Sequence, residues 1–384
     1  MIHFEHIKLQ GFRRLHGLDL PLRPLCVLIG ANGSGKTSLL DAFSLLAASA
    51  SASGGLRDKI SEFGGLSALM TLDRADRVEF ELSMTVPKRQ PLVYRLAVAP
   101  TGVAYQIEEE MLTQRHSARR FPFKHIQSQH GDIRYFEVEQ ERLIRPTWEH
   151  NPLETSLAQV PKMFREPEEF RSRLASSTYY HVLNVEPRAP IRLPQPLRPA
   201  SLPGRDGEDL VSCLFSLRET DRDRFETITD TLRTAFPGFE RLDFPPVAAG
   251  TLAMTWKDRD FTRPLYMHQL SEGTLRFLWL ATLLASPGLT AVTLLDEPDV
   301  SLHPELLSLL AGLMREASQR TQLVVATHAD RLVRFLQPSE VLTLNLSEDG
   351  LTQATWADDL DLEEWLKEYT LDEVWRLGRM GGRA

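Results

Sequence analysis

Residues 30–37 read Gly-Ala-Asn-Gly-Ser-Gly-Lys-Thr. Glycines at these offsets let successive backbone N–H groups turn inward onto an anion. The lysine adds a mobile cation, and the threonine hydroxyl can face a divalent metal. This is chemistry for a nucleoside triphosphate, with Gly30, Ala31, Asn32, Gly33, Ser34, Gly35, Lys36, Thr37 and Ser38 as its contacts. A second group lies far along the chain. The apolar run Val292–Leu295 ends in Asp296-Glu297-Pro298. Asp296, with Thr37, would hold Mg²⁺ through its water shell, because that ion dehydrates reluctantly. Glu297 would polarise an attacking water as general base. Leu270-Ser271-Glu272-Gly273-Thr274 precedes an apolar helical segment. Ser271 is a good N-cap for any helix, and the same hydroxyl beside a glycine at a helix N-terminus can meet an anion. His328 follows the apolar run Leu323–Thr327 and is placed to reach a γ-phosphate. The loop Asp299–Pro304 could cross to a partner subunit.

The flanking patterns state which elements must position these groups. Leu25–Ile29 suits a buried strand and residues 38–46 carry apolar side chains at helical spacing, so the loop opens a helix whose N-terminus faces the phosphates. A strand at Ala291–Leu295, a helix at Pro304–Ala317 and a strand at Gln322–Thr327 make one right-handed crossover, placing Asp296 and His328 at the same sheet edge. A strand is expected near Ile2–Leu9, and alternating runs from Val78 to Ile107 predict an antiparallel sheet. Ser49–Gly55 reads as a flexible loop and Pro187–Pro203 as an irregular connector. Helices are expected over Gly207–Leu217, Asp223–Ala235 and Leu275–Leu284. Glu348–Glu373 holds ten acidic residues against one lysine. Its Leu362, Trp365, Leu366 and Tyr369 predict an amphipathic helix, with Thr370 and Glu373 as a capping box for a closing one.

A chain of 384 residues is too long for one small core, and a net charge of −8 argues against a surface that coats nucleic acid throughout. Arg115, Arg119, Arg120, Lys124 and Arg134, interleaved with Phe121, Phe123 and Tyr135, could form a local DNA-facing patch or simply a solvated surface. Two cysteines, Cys26 and Cys213, do not make a disulfide framework or a zinc site. With no secretion pattern at the start and no long apolar window, the expectation is a cytoplasmic protein without membrane insertion.

In their order along the chain, these residues resemble the ABC-type ATPase superfamily. Transporter subunits of that class are compact, whereas residues 30 and 270 here stand 240 apart. The phosphate loop, Leu-Ser-Glu-Gly-Thr and Asp-Glu-Pro-Asp-Val-Ser-Leu-His-Pro look instead like the RecF/SMC/OLD branch. They are similar in particular to its short stand-alone bacterial "AAA family" ATPases, OLD-like but lacking a nuclease domain. Phe4–Leu15 is similar to that branch's opening strand and basic turn; the middle matches loosely, through Asp206–Leu210.

The resemblance implies an α/β P-loop head with a mixed sheet, a parallel core, an antiparallel subdomain and a mainly helical or irregular insertion. The expected division is a first lobe over 1–109, an insertion over 110–260, a second lobe over 261–347 and an acidic tail over 348–384. ATP and Mg²⁺ are the implied cofactors, and Arg13 is brought near the nucleotide, with Arg57 in a basic-loop role. Ser271, Glu272 and Gly273 would face the γ-phosphate held by a second copy, giving a homodimer with two composite sites. The signature departs from transporters at Glu272 and Thr274. The glutamine loop is unplaced, with Gln90 and Gln106 as candidates. With only 56 residues after His328, a nuclease would be a separate chain. The expected function is an ATPase that dimerises on ATP and serves DNA repair or anti-phage defence. The alternatives are a transporter subunit and a low-turnover switch.

Overall fold

Leu25–Ile29 is buried along its whole length, because no polar side chain offers either face to water. Cys26 and Leu28 enter one apolar cluster, while Leu25, Val27 and Ile29 enter another on the opposite side. A strand with two apolar faces belongs in the middle of a covered parallel sheet. The computed structural model describes residues 2–51, 55–102, 104–115, 121–137 and 141–381.

In chain order, β1 (Phe4–Gln10) and β2 (Leu18–Pro21) precede β3 (Leu25–Ile29), and the loop after it opens α1 (Lys36–Ser49). The short helices α2 (Gly55–Glu62) and α3 (Leu66–Leu69) follow. A meander then runs through β4 (Val78–Val86), β5 (Arg89–Thr101), β6 (Ala104–Gln114), β7 (Phe123–Gln129), β8 (Asp132–Glu137) and β9 (Arg142–Ile144). After α4 (Arg165–Ala175) come β10 (Thr178–Tyr180), β11 (Gln195–Pro196), α5 (Leu210–Thr220) and α6 (Arg222–Ala235). Five short strands follow: β12 (Phe239–Asp243), β13 (Pro246–Ala248), β14 (Thr251–Leu252), β15 (Thr255–Asp258) and β16 (Leu265–Tyr266). The last part comprises α7 (Glu272–Ala285), β17 (Val292–Asp296), α8 (Leu306–Ala317), β18 (Gln322–Ala326), α9 (Asp330–Val333), β19 (Val341–Leu346), β20 (Thr352–Trp356) and α10 (Leu371–Arg376).

Two large sheets organise the molecule. One is antiparallel, in the order β2-β1-β4-β5-β6-β7-β8-β9; the other runs β10-β17-β18-β3-β19-β20 and is parallel up to β19, with β20 antiparallel at its edge. Two three-stranded sheets, β11-β14-β13 and β12-β15-β16, accompany α5 and α6. The mixed α/β head expected from the sequence is the observed fold.

Several boundaries differ from expectation. The antiparallel sheet continues past residue 109 to Ile144, since β6 to β9 keep pairing as hairpins. Within 110–260, β10 joins the parallel sheet itself. Within 348–384, β20 is the partner of β19, and Trp356 and Trp375 are buried. The predicted helix through Leu362–Tyr369 is a single 3-10 turn, Trp365–Lys367. Its stripe is interrupted because Thr370, with Glu373, caps a new helix, α10. Part of the loop read at Ser49–Gly55 is helical, and its residues 52–54 lie outside the described residues, as do Val103, Arg119 and Arg120.

Buried polar side chains join the sheets. Gln322 of β18 accepts from the Phe4 N–H at 3.1 Å and donates to the Phe4 carbonyl at 2.8 Å and the Arg23 carbonyl at 3.4 Å. Glu110 of β6 is fully buried; it accepts from the Tyr94 hydroxyl and from the Ser156 and Leu157 N–H groups. Thr155 beside them donates to the Ser49 carbonyl at the end of α1. Truncating Gln322→Ala leaves the Phe4 donor and acceptor unpaired in a dry site. Urea unfolding should show a loss of about 2–6 kcal/mol, at about 1–3 for each of the two stranded groups; an unchanged midpoint would mean that Gln322 does not bridge the sheets.

Candidate functional site

The phosphate loop sits at the carboxyl end of β3 and continues directly into α1. Its glycines are required by space as well as by backbone. A Cβ on Gly30 (φ 151°) would lie 2.2 Å from the Leu344 carbonyl oxygen, and one on Gly35 (φ 105°) 2.8 Å from Thr352 Oγ1. At Gly33, with φ 75°, nothing lies within 4 Å of that position, so this turn of backbone faces open space. Thr352 Oγ1 also donates to the Ser34 carbonyl at 2.8 Å. The hairpin β19–β20 therefore braces the loop from behind. Ser34 Oγ is buried with no hydrogen-bond partner. The first turn of α1 contains no acidic residue, so its N-terminus is open to negative charge.

Lys36 is buried and folds back onto its own loop, donating to the Gly30 carbonyl at 2.7 Å and the Ala31 carbonyl at 3.0 Å. Burial pulls its pKa down to about 8, partly offset by the carboxylates of Glu297 and Asp296. Thr37 is exposed at the mouth of the loop, and Ser38 accepts a long bond, 3.4 Å, from Arg13. Arg13 itself is held in the left-handed region (φ 48°), with its guanidinium on Asp41 at 2.6 Å and over the Phe63 ring. It lies along the flank of α1, with its charge engaged by Asp41.

The register of the parallel sheet brings the remote residues level. Asp296 pairs with Ala326, and Ala326 with Leu28. The ladder continues beyond the strands through Glu297 N–H to the Ala326 carbonyl and Thr327 N–H to the Leu28 carbonyl. Asp296 is half-buried and accepts from the Tyr179 hydroxyl at 3.1 Å; burial raises its pKa, and the nearby Glu297 and Asp41 push the same way. Glu297 has φ 48°, a conformation uncommon for its residue type. Its carboxylate lies 3.6 Å from His328 Nε2, both side chains about two-fifths exposed. Asp299 accepts from the Thr327 hydroxyl at 2.5 Å, which fixes the loop after the acid pair against the strand carrying His328. Burial raises the Asp299 carboxyl as well.

Ser271 caps α7, accepting from the Thr274 N–H at 3.1 Å. Ser271 and Glu272 are exposed and make no hydrogen bond or ion pair with the phosphate loop among the described residues. Gly273 packs so closely that a Cβ would stand 2.7 Å from the Ser301 carbonyl oxygen. The structure thus gathers the phosphate loop, Asp296, Glu297 and His328 at one edge and leaves the Ser271 cap facing outward.

The residues fit a triphosphate with Mg²⁺: the glycine cradle, the buried and unpartnered Ser34 hydroxyl, and hard oxygen donors at Thr37 and Asp296. No group of three or more His, Cys, Asp or Glu side chains able to hold a metal occurs among the described residues. Any Mg²⁺ would then rely on phosphate oxygens and water for most of its ligands.

The sequence family described as "AAA domain, putative AbiEii toxin, Type IV TA system" matches residues 25–334. The chain belongs to this family. No curated protein matches it. Among solved structures, it is similar to an SMC head bound to the C-terminal winged-helix domain of ScpA, with TM-score 0.56 and 18% identity over 92% of this chain and 97% of that one. An SMC head with an extended coiled coil, bound to the C-terminal domain of ScpA from Pyrococcus furiosus, gives 0.55 and 14% over 96% and 98%. An SMC head domain with a coiled coil and joint from Pyrococcus yayanosii gives 0.51 and 13% over 98% and 100%. Family and fold together make this AAA-family chain an ABC-type ATPase of the RecF/SMC/OLD branch. No helix among its described residues is long and apolar enough to cross a membrane.

Three residues of this AAA-family site carry little or no signal in the sequence pattern used above. Tyr179 lies on a three-residue strand, too short for periodicity to reveal. Thr352 lies in the segment read as a tail, and no local pattern ties it to the loop. Asp41, one turn after Thr37, is legible only as a carboxylate on the loop's own helix. The basic patch expected around residue 124 loses two of its members, because Tyr135 is buried with its hydroxyl on the Ser156 carbonyl and Arg134 pairs with Asp132, while Phe121 stays exposed.

Two outcomes follow. A bound triphosphate favours the Lys36 ammonium and raises its pKa. Below pH 8 the free site is already charged, whereas above it a proton must be taken up. ATP affinity should therefore fall as pH rises through about 8, and calorimetry near pH ~8.5 in buffers of differing ionisation enthalpy should show proton uptake. Binding there without protons would contradict this. Tyr179→Phe frees the Asp296 carboxylate and should raise the Mg²⁺ concentration for half-maximal activity roughly tenfold, as for other partners of metal ligands. An unchanged Mg²⁺ requirement would remove Tyr179 from the site.

Proposed function

We propose that this chain hydrolyses ATP at a site completed by a second copy of itself. The observation that carries the reading is the convergence of Lys36, Asp296, Glu297 and His328 at one end of the parallel sheet. Gly30–Ser38 would cradle the phosphates, with Lys36 leaving the Gly30 and Ala31 carbonyls to meet them. Thr37 and Asp296 would hold Mg²⁺, which neutralises phosphate charge when bound. Glu297 accepts the proton of the attacking water, and His328, 3.6 Å from its carboxylate, orients that water against the γ-phosphate. Arg13 reaches the nucleotide only by loosening its bond to Asp41.

The exposed Ser271 supports completion in trans. Its capped helix start makes no hydrogen bond or ion pair with the phosphate loop of its own chain among the described residues, and Gly273 packs it against the loop that follows the acid pair. The branch to which the chain belongs supports a role in a DNA-associated process, such as repair or defence against phage, with a nuclease supplied by a separate chain. Two of the similar SMC heads are described bound to ScpA, which supports a protein partner of some kind here also.

Glu297→Gln should bind ATP, fail to hydrolyse it and accumulate as a dimer of twice the mass in light scattering. Constant mass with and without ATP would refute the composite site. Mixing Ser271→Arg with Lys36→Ala protein should recover activity from one intact composite site per dimer. Absence of any recovery would argue that each chain works alone.

A further inference from the structure

We propose that the chain carries a second ligand site, for a phosphorylated small molecule of mononucleotide size, behind the Asp296 edge of the sheet. A cavity of about 300 Å³ opens between α1, α2 and β10, at the lower end of the roughly 300–1,000 Å³ that small-molecule sites span. Its charge is predominantly cationic. Lys59 and Arg205 both line it, against the single carboxylate Glu62, which Lys59 holds at 2.9 Å. Arg205 makes no ion pair or side-chain hydrogen bond among the described residues. Ser177 adds a buried hydroxyl with no hydrogen-bond partner. The Tyr179 and His181 rings, 4.1 Å apart, add an aromatic wall. Two cations, a spare hydroxyl and an aromatic surface are what a phosphate attached to a planar base requires.

The site is distinct from the phosphate loop, yet wired to it. Tyr179 presents its ring to the cavity and its hydroxyl to Asp296 at 3.1 Å. A ligand that shifts this ring alters the hold on the carboxylate assigned to Mg²⁺. Occupancy of the cavity therefore changes ATP turnover, an effect that rests on the hydrolytic reading above; binding itself does not.

The test uses AMP and inorganic pyrophosphate as probes on full-length Lys36→Ala protein, in which the phosphate loop is disabled. Calorimetry should show binding, weakened at least tenfold by adding Arg205→Glu, an exposed position, or Lys59→Ala. No binding of either probe, or binding indifferent to both changes, overturns the site. Binding of a 5′-phosphorylated oligonucleotide alone overturns the small-molecule assignment. In otherwise unaltered protein, AMP should change the ATPase rate, and Arg205→Glu should keep the basal rate while abolishing the response. AMP binding with an unaltered rate overturns the coupling. AMP binding in a chain with no ATPase activity leaves the cavity standing and refutes the hydrolytic reading instead.

Discussion

The site depends on the parallel pairing of β18 between β3 and β17. Asp296, Ala326 and Leu28 stand level across three strands, and the ladder runs one residue further at Glu297 and Thr327. A slip of one residue would turn every side chain to the opposite face and separate the acid pair from the loop. Because β3 and β18 are buried on both faces, burial alone does not choose the register; the Gln322 bridge to β1, which a slip would break, helps to fix it.

From that constraint the rest follows outward. Four distant segments of chain meet at the sheet edge: the loop at 30–38, β10 near 179, the acid pair at 296–297 and His328. The C-terminal hairpin then closes against the loop, where the backbone of Leu344 and the side chain of Thr352 leave no room for anything but glycine at 30 and 35. Charge is arranged with similar economy. Lys36 stays buried against two carbonyls in the free chain, at a depressed pKa, and is thereby poised to gain from an incoming phosphate. Asp296 is half-buried and held by Tyr179, so its oxygens are presented rather than scattered into solvent.

Much of this is legible in the residues themselves. The loop, the acid pair and His328 each end an apolar run, and strand ends are where ligands gather in parallel sheets. The two-faced strand β3 and the crossover through α8 are readable for the same reason: their patterns are long enough to express a period. What is not legible is contact between segments remote in sequence. Nothing local marks Tyr179 as a neighbour of Asp296, since Thr178–Tyr180 is only three residues long. Thr352 likewise carries no sign of the loop 318 residues away. The extension of the antiparallel sheet to Ile144 is hidden by short strands rich in charge, and the stripe at Leu362–Tyr369 promises a helix that a nearby cap cuts to one turn.

The most direct test of the account is a structure of Glu297→Gln protein with ATP and Mg²⁺. The account predicts two copies facing each other, Lys36 Nζ moved from the Gly30 carbonyl to the phosphates, Asp296 on the metal side, and Ser271 of the partner subunit at the γ-phosphate. A nucleotide bound in a lone chain, with Lys36 still on Gly30 and Ser271 in solvent, would contradict it.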